Sequence, residues 1–176
     1  GMVTTDDARV AERLRSLRDH GRTEAGGYGH REVAYNSRLD ALQAAVLGVK
    51  LDALDRWNER RREHARAYDE ALDGLPGLER PVVQPGNRHV YHQYTLRARR
   101  RDALRDHLRE RGVGSGVYYP APLHLLEGLS HLGHGPGDFP VAEAAAREVL
   151  SLPVFPGLTD AEREEVVQAL EAFAAE

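Results

Sequence analysis

The residues best suited by type and spacing to do chemistry lie in two short stretches: Asn36 with Arg38, and the run from Val117 to His124. Asn36 and Arg38 fall at the expected opening of a long helix, where unpaired backbone N–H groups leave a partial positive charge. An amide donor and a guanidinium fork added to such an opening make a receptor for a phosphate group. Spacing alone leaves the plainer reading open, with Asn36 a cap and Arg38 a surface residue, because caps are the commoner use of a helix start. The second stretch reads Val-Tyr-Tyr-Pro-Ala-Pro-Leu-His. Two prolines stiffen it and the tyrosines and histidine tip it with polar groups, which suits the wall of a ligand pocket. A packed turn with core tyrosines uses the same residues, so this stretch too carries two readings.

Other chemistries have weaker support. His89 and His92 sit three apart in an expected strand and so point to opposite faces, which does not favour joint chelation of a metal. His124, His131 and His134 lie in a glycine-rich segment whose nearby carboxylates are Glu127 and Asp138, again a poor metal signature. Arg60–Arg62 and Arg99–Arg101 are interleaved with acids at helical spacing (Asp52 with Arg56, Glu59 with Arg62, Asp102 with Arg105, Asp106 with Arg109). With a net charge of -4, these runs read as solvated helix faces, and no nucleic acid partner is expected. Gly112, Gly114 and Gly116 have the wrong spacing for a dinucleotide fingerprint. Cysteine is absent, which removes disulfides and thiolate chemistry, and Lys50 is the single lysine.

The elements that must position these residues follow from periodicity. Met2–Thr5 reads as an edge strand, and Asp6 or Asp7 caps a helix carrying Val10, Leu14 and Leu17 that Gly21 ends. Arg22–Glu32 is a polar, glycine-rich loop. Ser37 and Asp40 open a long helical region, with a break expected at Gly48–Asp52, and its apolar stripe includes Leu39, Leu42, Val46 and Val49. The Pro/Gly-rich segment Asp73–Pro85 reads as a domain boundary. Beyond it, strands at Val90–Leu96, Val113–Tyr119 and Val149–Val154 alternate with helices. One helix spans Asp102–Arg111, one follows Asp138 with Pro140 in its first turn, and the last opens on the Thr159/Glu162 capping box. The expectation is an α/β fold, a small sheet covered by helices. No apolar run is long enough to span a bilayer, no membrane partner is expected, and the cytoplasm is the default location.

In order and spacing, several segments resemble the DegT/DnrJ/EryC1/StrS family of sugar-nucleotide aminotransferases. They include Gly-Met-Val-Thr-Thr-Asp from Gly1, Leu-Arg-Asp-His-Gly from Leu17, Tyr-Asn-Ser-Arg from Tyr35 and Leu-Gln-Ala-Ala from Leu42. Trp-Asn-Glu-Arg from Trp57, His-Val-Tyr-His from His89 and Tyr-Tyr-Pro-Ala-Pro-Leu-His from Tyr118 follow. Gly-Asp-Phe-Pro from Gly137 and Leu-Ser-Leu-Pro from Leu150 complete the set. The resemblance covers nearly every residue present but only the carboxy-terminal part of a family protein. It implies a fold-type-I architecture in which residues 1–80 are the end of the large domain and linking helices, and 81–176 a small α/β domain with a short sheet. It also implies pyridoxal 5'-phosphate as cofactor, a keto-sugar nucleotide as substrate, glutamate as amino donor and a homodimer with shared active sites.

By the same resemblance, Asn36 and Arg38 reach the cofactor phosphate or its surroundings from the neighbouring subunit, and Tyr119 and His124 match a loop beside the sugar-nucleotide pocket. Tyr118 stands where members of the family often carry histidine, and Ala34 where glycine is common. Transamination needs a lysine that forms a Schiff base and shuttles a proton. The lysine matching that role would lie upstream of Gly1, and Lys50 matches a non-catalytic stretch. The chain alone is therefore expected to be inactive and to hold no covalent cofactor. The alternative is a free-standing, non-catalytic remnant acting as a dimerising or interaction module. Both readings use every residue here, and both expect self-association through the apolar stripe of the long helix.

Overall fold

The structure, a computed structural model, describes residues 1–23 and 28–175; Gly26 and Gly27 of the expected loop lie outside them. Two compact units make up the chain, Gly1–Asp52 and Ala53–Glu176. This division concerns compactness within the chain. It is a different division from 1–80 and 81–176, which would fall in two domains of a larger enzyme.

The first unit is built on two helices. In α1 (Ala8–Arg18), the Asp7 carboxylate caps the start by accepting the Arg9 N–H at 2.8 Å. The helix stops where Gly21, with φ +72°, sends its N–H back to the Ser16 carbonyl at 2.8 Å. Any Cβ there would collide with the Glu32 carbonyl, so only glycine fits. The returning chain is stitched to this turn: Tyr35 N–H bonds Leu17 O, Ser37 N–H bonds Arg18 O, and His20 N–H bonds Tyr35 O. The second helix, α2 (Ala41–Leu51), is capped by Asp40 and has no buried residue. Ser37 is spent on α1 and takes no part in that cap. The helical region breaks at Asp52–Ala53, within one residue of the expected place. Met2–Thr5, expected as an edge strand, joins no sheet among the described residues.

In the second unit, α3 (Leu54–Leu72), α4 (Arg101–Glu110), α5 (Pro140–Glu148) and α6 (Asp160–Ala174) accompany β1 (Leu78–Glu79), β2 (Tyr94–Ala98) and β3 (Val149–Leu152). The sheet runs β1-β2-β3, antiparallel throughout, with Leu96 opposite Leu150 and Thr95 opposite Ser151. Alternation puts Tyr94, Leu96 and Ala98 in the core, where Leu150, Leu104, Leu108 and Leu170 are also fully buried. The mixed helix–strand make-up with a short sheet agrees with the α/β expectation. The final helix opens on the expected capping box, with Thr159 and Glu162 bonded reciprocally.

Three local expectations are corrected. Val113–Tyr119 is not a strand: Gly116 alone pairs, exchanging bonds with Ser151 at 3.0 and 2.7 Å. The boundary-like segment Asp73–Pro85 contains β1, whose two residues pair with β2. Asp138 does not cap α5; its carboxylate takes the Gly135 N–H at 2.9 Å, and Phe139 stands at the cap.

His64 on α3 is fully buried, and its Nε2 has no hydrogen-bond partner, while Arg163 donates toward Nδ1 at 3.3 Å. Burial, then the Arg60 and Arg163 charges, hold its pKa below the usual histidine value. The unfolded chain protonates His64 at about pH 6.5, so its contribution to stability is complete above that pH and falls as the pH drops further. Urea midpoints measured against pH are expected to show this slope in the parent and a flatter one in His64→Gln. Equal slopes would show that His64 does not carry it.

Candidate active site

Asn36 and Arg38 lie on the exposed segment that is stitched to the end of α1. Neither stands in the opening turn of α2, which is a correction to the helix-start geometry. The Asp40 carboxylate already accepts the Leu42 N–H at 2.8 Å and the Gln43 N–H at 3.4 Å, so an acid of the chain itself occupies the helix N-terminus.

Arg38 stands in a different setting instead. Arg38 lines a cleft of about 500 Å³ together with Arg15, Arg18, Arg22 and Arg31. Among the described residues, the carboxylates set against these guanidinium groups are those of Glu12 and Asp19. The ion pairs between the two sets are loose: Arg38 to Asp19 at 3.7 Å, Arg31 to Glu12 at 3.9 Å and Arg22 to Asp19 at 4.0 Å. At those separations they are not hydrogen bonds, so donor capacity remains for a ligand. Among the described residues, Arg22 Nε is buried without an acceptor, and Asp19 Oδ1 is buried without a hydrogen-bond donor. A buried, unpaired guanidinium N–H among clustered positive charges fits a phosphate oxygen. This donor set therefore suits the phosphate end of pyridoxal phosphate. Lys50 does not suit the imine end: it sits in the last turn of α2, and an 11-residue helix places it about 15 Å along the axis from the end nearest Arg38.

The second stretch divides between two settings. Tyr118 lies over Gly116, where an added Cβ would fall 2.6 Å from the ring. Tyr118 also lines a groove of about 410 Å³ with His92, Gln93, Ser151 and Pro153. Tyr119 packs edge-on to Tyr118, with centroids 5.8 Å apart, and is 72% exposed. His124 is buried instead. Its ring lies 4.8 Å from Phe139, and Nε2 is 3.1 Å from Glu143 Oε1. Oε1 of Glu143 also accepts the Gly137 N–H at 2.7 Å. That amide, with His124 and the Phe139 backbone adding to it, holds the Glu143 carboxyl below the usual glutamate range. Tyr119 and His124 are thus five residues apart in sequence but keep different neighbours.

Sequence reasoning passed over Glu143 and the four further arginines of the cleft. Arg15 and Arg18 carried a signal, since residues three apart share a helix face. Glu143 carried little, because its partner is 19 residues away. His89 and His92 precede β2 rather than lying in a strand; His89 Nδ1 accepts the Tyr91 N–H at 2.8 Å. Among the described residues no group of three or more metal-ligating side chains is assembled. No helix among them is long and apolar enough to cross a membrane.

The sequence pattern of the DegT/DnrJ/EryC1/StrS aminotransferase family matches residues 1–171. The chain is 45% identical over 175 residues to a pleiotropic regulatory protein of Geobacillus stearothermophilus, covering 98% of this chain and 46% of that protein. It is 43% identical over 174 residues to the dTDP-3-amino-3,4,6-trideoxy-alpha-D-glucose transaminase of Streptomyces venezuelae, covering 99% and 45% respectively. Among solved structures, S. venezuelae DesV in complex with a ketimine intermediate superposes with a TM-score of 0.93 at 42% identity, over 98% of this chain and 46% of that one. The chain thus spans about half the length of the relatives it matches. It belongs to the DegT/DnrJ/EryC1/StrS family of pyridoxal-phosphate-dependent aminotransferases and corresponds to the carboxy-terminal part of its members.

Proposed function

We propose that this chain is the carboxy-terminal portion of an aminotransferase that converts a keto-sugar nucleotide to an amino-sugar nucleotide, with glutamate as amino donor. In this reading residues 1–80 supply the end of the cofactor-binding domain and the linking helices, and residues 81–176 supply the small domain. The working enzyme is a cytoplasmic homodimer. The observation that carries the reading is the arginine cleft around Arg38, with its buried unpaired Arg22 Nε.

Pyridoxal phosphate, when bound, supplies the electron sink that lets an amino group be exchanged. The residues of this chain hold and orient. Arg38 and the neighbouring guanidinium groups neutralise the cofactor phosphate or its surroundings, and the Asn36 amide adds a neutral donor. Tyr119, exposed at the tip of its loop, offers a ring face and a hydroxyl to the sugar nucleotide. His124, held by the Glu143 contact, is the other substrate-binding residue of that loop in this reading. The proton-shuttling lysine is not supplied by Lys50, so this polypeptide alone does not transaminate.

The second reading, a non-catalytic module that pairs with itself, is favoured by α2. Leu42, Val46 and Val49 share one side of the helix and Leu47 and Leu51 lie on the other, and each is more than half exposed among the described residues.

Three outcomes are expected. In equilibrium titrations followed by cofactor absorbance, Arg38→Ala weakens pyridoxal phosphate binding by about tenfold or more, the value of a charge-assisted bond. Unchanged affinity would remove the cleft from the cofactor site. Borohydride treatment of the mixture leaves no pyridoxyl group on Lys50 by mass spectrometry; efficient trapping there would overturn the assignment of inactivity. In sedimentation velocity the parent self-associates, and Leu42→Asp with Val46→Asp sediments as a monomer. A monomeric parent would dispose of pairing through α2.

A further inference from the structure

The segment between His124 and α5 is closed by one carboxylate. Oε1 of Glu143 meets both the Gly137 N–H at 2.7 Å and His124 Nε2 at 3.1 Å. Phe139 fills the space between, 4.8 Å from the His124 ring and 4.9 Å from that of His134. Asp138, which takes the Gly135 N–H and lies 3.5 Å from His134 Nδ1, ties down the far side. Glu143 is therefore ionised at neutral pH and acts only as an acceptor, which obliges His124 Nε2 to carry the proton. His124 Nδ1 has no hydrogen-bond partner among the described residues, and it is not among the sealed, unpaired atoms. In the neutral ring, Nδ1 is an open acceptor on an otherwise buried side chain.

We propose that Glu143 is a positioning residue: through Nε2 it fixes the tautomer and orientation of His124, so that Nδ1 accepts a hydrogen bond from a hydroxyl group of the bound sugar. The ligand part of this proposal rests on the sugar-nucleotide reading given above; the tautomer part does not. A neutral imidazole held in one tautomer discriminates by hydrogen-bond polarity. It accepts from a hydroxyl and offers nothing to a carbonyl oxygen. Where His124 meets the sugar, a hydroxyl-bearing carbon is favoured over the keto carbon. This side chain then helps to set which way round the substrate lies.

The test uses the 176-residue chain labelled with nitrogen-15 in its histidines. In long-range imidazole spectra at mildly alkaline pH, His124 is expected as the Nε2–H tautomer. Glu143→Gln keeps that form, because the amide oxygen still accepts, whereas Glu143→Ala gives a mixture of tautomers. A merely structural glutamate would lower the melting temperature in Glu143→Ala without moving the tautomer, so an unchanged tautomer overturns the proposal. So does an Nδ1–H form in the parent.

The second arm adds dTDP-glucose as probe. The His124 Nδ1 signal is expected to move toward the hydrogen-bonded position, with affinity about tenfold weaker in Glu143→Ala and restored in Glu143→Gln. Binding that leaves Nδ1 unmoved overturns the ligand contact. Absence of any dTDP-glucose binding, with the Nε2–H tautomer in place, counts against the sugar-nucleotide reading and supports the positioning role of Glu143.

Discussion

The second unit depends on a pair of buried tyrosines that tie a helix to a very short sheet. Tyr68 of α3 and Tyr94 of β2 are both fully buried, with ring centroids 5.1 Å apart. Each hydroxyl finds one acceptor across the fold: Tyr68 bonds the Pro153 carbonyl at 2.9 Å, and Tyr94 bonds Asp69 at 2.7 Å. Burial raises both phenol pKa values, so the hydroxyls stay neutral donors where a phenolate would be intolerable. A sheet of strands two, five and four residues long needs such support, since few of its own hydrogen bonds are available. The consequence reaches the candidate site in steps. Tyr68 holds Pro153 just beyond β3, β3 presents Ser151, Ser151 pairs with Gly116, and Gly116 sets the floor under Tyr118.

What the sequence made legible was local chemistry. The Asp7 cap, the glycine stop at Gly21 and the Thr159/Glu162 box are all interactions within a few residues, and each stands where reading predicts it. Strands were less legible because a strand is defined by its partner. Val113–Tyr119 has the right composition, yet β3 meets it at Gly116 alone among the described residues. The short β1 hides in a run of prolines and glycines because two residues suffice to pair with Ala98 and Arg97. Ser37 reads as a helix opener until the turn after α1 claims its N–H.

The candidate site shows the same limit. Arg38 was visible, but its setting was not: a helix N-terminus was expected and an arginine cleft is found, because Asp40 already answers the helix's free N–H groups. The cleft gathers Arg15, Arg18, Arg22 and Arg31 from a helix and a returning loop, and only the fold shows that they face one space. His124 was visible and Glu143 was not, since nothing in the sequence announces a contact across 19 residues. Family resemblance supplied what periodicity cannot, a reason to read Asn36 and Arg38 together with Tyr119 and His124.

The sheet's edges bear on how such a chain meets its own kind. Exposed strand edges are templates for fibrillar growth, and small sheets have two of them. Here one edge, β3, is answered by Gly116, and the other, β1, is two residues long and runs at once into Arg80 and Pro81, the latter without an N–H to offer. Backbone is therefore poorly placed to recruit backbone. The apolar surface left to meet a neighbour is therefore made of side chains, those of α2 among them, and not of unpaired strand edge.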